Sequence, residues 1–150
     1  MEKLNISVGI KRYQLVEGGA PLCFNPGDPN VYARYMEMLD KIKAVEQEMA
    51  AKAKSVDVNA SDAGEKTLKI MRETDLRMKH ILNEIFGEEN DFDKILKGVN
   101  LMAVTEGNNR VINNVLNALT PIMEAGAKSC VDTEVSAAKM NREQRRAMQR

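Results

Sequence analysis

Leu4, Ile6, Val8 and Ile10 alternate with smaller or polar neighbours, the two-residue period of a strand with one buried face. A second β-prone run, residues 12–16, meets Gly18-Gly19, a pair free to take positive φ in a tight turn, and residues 21–24 return. The pattern predicts a β-meander of two or three strands over residues 1–27, too small to stand without helices on its apolar face. Asn25-Pro26-Gly27-Asp28-Pro29 then breaks the period. Asp28 before Pro29 reads as an N-cap with proline at the first helical position, so a helix is expected to begin at Pro29.

In that helix Tyr32, Tyr35, Met36, Leu39, Ile42, Val45 and Met49 recur every three or four residues, an apolar stripe with Glu37, Asp40, Lys41, Lys43 and Glu48 outside it. Residues 50–54 lack large apolar anchors and 55–64 are small and polar, which predicts fraying into a loop. A second long helix is expected over residues 63–86, with Leu68, Met71, Met78, Leu82 and Ile85 at seam spacing and Gly87 as its stop. Two long antiparallel helices follow from this. Asp75 interrupts the seam and is expected either to reach solvent or to fix register.

An acidic loop, Glu88-Glu89-Asn90, leads to Asp91, which reads as the N-cap of a short helix over residues 92–97 closed by Gly98. Thr105, Glu106 and Asn108 are expected to open a fourth helix whose face is Val111, Ile112, Val115, Leu116, Leu119, Ile122 and Met123, with Pro121 a kink site. Residues 126–135 turn small and polar, and from Ala137 the chain becomes basic. The expected organisation is a mainly helical α+β domain over 1–135, with its helical body at 28–127 and a basic tail or helix at 136–150.

Composition supports a core and narrows the chemistry. Hydrophobic residues make up 43% of the 150 and charged residues 29%, as in a folded domain. Lys plus Arg equal Asp plus Glu at 22 each, so no global field draws the chain to nucleic acid or to membranes. The asymmetry is local: Lys139, Arg142, Arg145, Arg146 and Arg150 stand against Glu143 alone. No apolar run nears the ~20 residues of a membrane span, and no signal-peptide layout opens the chain. Cys23 and Cys130 lack metal-ligand spacing and read as free thiols, so a cytoplasmic setting is expected.

Candidate catalytic groups are sparse. His80 is the single histidine, and with Glu84 at i, i+4 it reads as a surface helix pair rather than as two metal ligands. The 88–93 acidic run lacks the glycine and closing glutamate of a calcium loop. No phosphate-cradling glycine motif is present. No catalytic, cofactor or metal residue is assigned and no enzyme is expected. A site built from His80, Asp75 and Glu84 is the remaining catalytic alternative.

Ten methionines are many, and Met36, Met49, Met71, Met78 and Met123 fall on apolar stripes. They read as core filling or as an adaptable groove, with Phe24, Tyr32, Tyr35, Met36, Leu39, Met71 and Met78 as candidate groove or core residues. In the tail, Met140, Arg142, Arg145, Arg146, Met148 and Arg150 are candidate partner-binding residues, a narrow apolar edge beside a basic one.

The order of these features resembles the tail assembly chaperones of tailed phages and prophages of Gram-positive bacteria. The likeness rests on strands leading through Leu22-Cys23-Phe24-Asn25-Pro26-Gly27-Asp28-Pro29-Asn30-Val31-Tyr32 into a long helix, on Phe86-Gly87 before an acidic loop, and on the Asn141-Arg142-Glu143-Gln144-Arg145-Arg146 ending. It implies a non-enzymatic protein that binds the tape measure protein, keeps it soluble and helps recruit tail-tube subunits, with a homo-oligomer open. The alternative is a small nucleic-acid-binding or regulatory protein acting through its arginine-rich tail, marked by steep salt dependence.

Overall fold

A computed structural model describes residues 1–148. Strands β1 (Lys11–Tyr13) and β2 (Leu22–Phe24) pair antiparallel, Lys11 opposite Phe24 and Tyr13 opposite Leu22. Helices α1 (Pro29–Lys54), α2 (Ala63–Phe86), the single-turn α3 (Phe92–Ile95) and α4 (Val111–Met148) follow, with a 3-10 turn at Glu106–Asn108 before α4. The protein is a mainly helical α+β domain.

Pro29 begins α1 and the Asp28 carboxylate accepts from the Asn30 N–H at 2.9 Å, so the cap expected from Asp-Pro is built. α1 and α2 run antiparallel. Near the base of the pair the Arg34 Nε donates to the Ile85 carbonyl at 3.1 Å, and further out Arg77 donates to Glu48 at 2.6 Å. That exposed pair holds the Glu48 carboxyl below its ordinary value through the hydrogen bond and charge of Arg77. α1 buries Val31, Tyr35, Met38, Ile42 and Val45. Met38 and Val31 thus replace Met36 on the expected stripe: Met36 is 45% exposed, because at 100° per residue it stands well round the helix from Tyr35 and Ile42.

Leu68 also leaves the expected α2 seam for solvent, beyond the reach of the core near the tip of the pair, whereas Met78, Leu82 and Ile85 are buried. Asp75 takes neither of its expected roles. It is buried, its Oδ1 accepts from the Leu101 N–H at 2.8 Å, and its Oδ2 lies 3.0 Å from the buried Lys79 ammonium. Lys79 also donates to Asp93 at 2.8 Å, so Lys79 fastens α2 to α3 while Asp75 fastens it to the segment that carries Leu101.

The small sheet survives because aromatic rings join it to the helices. Tyr13 and Phe24 stand 5.1 Å apart, Phe24 and Phe86 4.8 Å, and Phe86 and Phe92 5.8 Å. On the outer side of β2, the buried Asn90 amide accepts from the Cys23 N–H and donates to the Cys23 and Phe86 carbonyls, satisfying β2 and the end of α2 together.

Three expectations are corrected here. Residues 4–10 form no strand: Leu4, Ile6, Val8 and Ile10 are all exposed, since no neighbouring strand pairs with them among the described residues. The 105–108 segment does not open the fourth helix. The Leu101 and Ala103 carbonyls take the Ile112 and Val111 N–H groups at 2.9 Å, so α4 starts at Val111. Nor does the helical body stop at residue 127: α4 runs unbroken through Pro121 and Gly126 to Met148, because the small and polar residues between are compatible with helix.

Candidate interaction surface

α4 is two different helices end to end. Its first half buries Ile112, Val115, Leu119 and Met123 against the core. On α1 the Tyr35 hydroxyl lies 2.6 Å from Thr120 Oγ1, and burial pushes the Tyr35 phenol above its ordinary value, with Thr120 pulling it down and Glu124 pushing it up. Gly126 packs closely against the loop before α1. A β-carbon there would overlap the Pro26 carbonyl oxygen, so helix and loop touch backbone to backbone.

Beyond that point every residue from 131 to 148 is exposed. At ~1.5 Å per residue the 38-residue helix is about 57 Å long, and roughly half of it stands in solvent. Where α4 leaves the body, a hollow of about 180 Å³ is lined by Pro29, Tyr32, Ala127, Cys130 and Val131 among others. From this hollow one face continues outward. At 100° per residue Val131, Val135 and Ala138 share it with Arg142, Arg145 and Arg146, while Met140, Gln144 and Ala147 lie on the opposite side with Met148 toward the flank.

The expected partner-binding residues Met140, Arg142, Arg145, Arg146 and Met148 are therefore all exposed on α4, and no side-chain hydrogen bond or ion pair joins them to another described residue. Arg150 lies outside the described residues. Arginine and methionine sit on different faces, so the apolar neighbours of the arginines are Val131 and Val135, from the run that reads as small and polar, and Ala138, from the basic tail. Their i, i+4 and i, i+3 spacing was the available signal.

The other candidate set divides. Phe24, Tyr35 and Met78 are core; Tyr32, Leu39 and Met71 are partly buried against it; Met36 is exposed. Met38, Met78, Met102 and Met123 are buried, so these methionines fill the core rather than line a groove. His80 Nε2 lies 3.1 Å from Glu84 Oε1 as the expected surface pair, whereas Asp75 is buried and committed to Lys79 and Leu101. The geometry does not gather these three into one site. Among the described residues no group of three or more His, Cys, Asp or Glu is placed to hold a metal ion. No helix among them is long and apolar enough to cross a membrane.

Comparison with known proteins gives no match: no family model, no curated protein and no solved structure is similar to this chain.

Proposed function

We propose that this chain is a non-enzymatic tail assembly chaperone of a tailed phage, which binds the tape measure protein, keeps its long apolar helices soluble and helps recruit tail-tube subunits. The observation that carries this reading is the solvent-facing half of α4, where Val131, Val135 and Ala138 lead into Arg142, Arg145 and Arg146 on one face. Recognition is helix against helix. An amphipathic partner segment lays its apolar residues along Val131 and Val135 and its acidic residues beside the arginines. Met140 and Met148 on the other faces offer flexible contacts to a second segment. The order of strands, capped helix, Phe86-Gly87 and the Asn141–Arg146 ending supports the same reading. The setting is the host cytoplasm, where the free thiols of Cys23 and Cys130 stay reduced.

Co-expression with the tape measure protein tests this. The expected result is a complex that survives high salt and a tape measure protein that is insoluble alone. The grouping of three arginines on one face favours one second reading, a nucleic-acid binder. It takes over if nucleic acid co-purifies and leaves at high salt while the tape measure protein is neither bound nor solubilised.

A further inference from the structure

The first ten residues carry a strand pattern with nothing to pair to. Leu4 is 90% exposed, Ile6 81%, Val8 57% and Ile10 53%, and no charged residue interrupts 4–10. An uncovered apolar run of this composition invites pairing with another chain. It is also held in place. The Asn25 side-chain amide donates to the Val8 carbonyl at 3.0 Å, and a β-carbon on Gly9 would fall 2.8 Å from that amide nitrogen, so the segment is anchored beyond the end of β2.

A matching acceptor lies at the other end of β1. Tyr13, Leu15, Val16, Leu96, Val115 and Ile122 line part of an apolar groove of about 360 Å³ between the hairpin and α4. A cavity of ~150 Å³ holds a benzene ring, so this groove has room for two or three aliphatic side chains. The chain cannot fill its own groove as it stands. The segment leaves β1 from Lys11, the groove begins at Tyr13, and reaching it means reversing direction at Gly9-Ile10 and giving up the Asn25 bond. β1 also keeps a free edge, because β2 is its one strand neighbour among the described residues.

We infer that residues 4–8 of one copy dock in the hairpin–α4 groove of a second copy of this chain, extending the sheet at the free edge of β1 and burying Leu4, Ile6 and Val8. Three observations select a second copy as the occupant. Donor and acceptor are both unfilled, they sit on the same chain, and the Asn25 anchor directs the donor away from its own groove. Reciprocal exchange closes two copies around a two-fold axis.

The test is light scattering coupled to size exclusion on the full chain and on the double variant Ile6→Asp/Val8→Asp. Both residues are exposed, so the far-ultraviolet circular dichroism is expected to be unchanged. The full chain should have the mass of two or more copies and the variant the mass of one, 16.8 kDa. The variant, its groove now empty, should bind a labelled peptide of residues 1–10 in fluorescence anisotropy and ignore the same peptide carrying Ile6→Asp. A monomeric full chain at high micromolar concentration, an oligomer that survives the double variant, or a peptide that does not bind each overturns the inference and leaves the segment to a different partner.

Discussion

Lys79 Nζ lies 3.0 Å from Asp75 Oδ2 with both side chains buried, one helical turn apart on α2. The pair is completed from outside the helix by the Leu101 N–H on Asp75 and by Asp93 on Lys79. Removing one member leaves the other charged, buried and short of partners. Lys79→Met should lower stability by about 3–5 kcal/mol in urea unfolding. Asp75→Asn keeps an acceptor for Leu101, so the double variant should lose less than the two single losses added. Strict additivity in the double-mutant cycle would show that the two charges are not coupled.

Asn90 makes three hydrogen bonds from one buried side chain, to the Cys23 N–H at 2.8 Å, the Cys23 carbonyl at 2.9 Å and the Phe86 carbonyl at 2.7 Å. Asn90→Ala strands all three backbone groups and should cost about 2–4 kcal/mol. Amide hydrogen exchange at Cys23 should accelerate more than exchange in the middle of α1. Uniform acceleration would mean that Asn90 acts on global stability alone.

The Tyr35 phenol is raised above its ordinary 10.0, first by burial, with the Thr120 hydrogen bond opposing and Glu124 adding. A raised folded value means the neutral form is favoured in the fold. The associated stability is complete below pH 10.0 and is lost as pH climbs through the folded value. Tyr35→Phe removes this term and the bond to Thr120. It should cost about 1 kcal/mol at neutral pH, and the gap from the parent protein should narrow above pH 10.0. A constant gap across that range would contradict the assignment.

Two glycines in helices should respond with opposite sign. Gly126→Ala drives a β-carbon into the Pro26 carbonyl and should destabilise by about 1–3 kcal/mol. Gly64, in the first turn of α2, has nothing within 4 Å of the β-carbon position, and Gly64→Ala should stabilise by about 0.5 kcal/mol. Thermal unfolding of the two variants distinguishes them. Equal shifts would mean that α4 does not press on the 26–27 loop.

These elements show why some of the fold was legible and some was not. Asp28-Pro29 and Gly87 punctuate the chain with residues whose local chemistry starts or stops a helix, so α1 and α2 could be bounded from sequence. The alternation at residues 4–10 is equally clear, yet a strand needs a partner, and none is present in the fold described. Asp75 was visible as a break in the seam, but sequence shows the polarity of Asp75, Lys79 and Asn90 and not the partners that offset their burial. The α4 extension was obscured because residues 126–135 carry few large apolar side chains and give little periodic signal, although they suit a helix that faces water. Of the candidate surface, the exposed arginines were visible in sequence. Their alignment with Val131 and Val135 appeared only once the helix was continuous.

Hydrogen–deuterium exchange on this chain, alone and with the proposed partner, a phage tape measure protein, tests the chaperone reading most directly. Protection should appear at residues 127–148 on binding, with the α1–α2 core unchanged, and should be lost when Arg142, Arg145 and Arg146 are replaced by alanine together. No protection on α4, or protection that is the same in the triple variant, would contradict it.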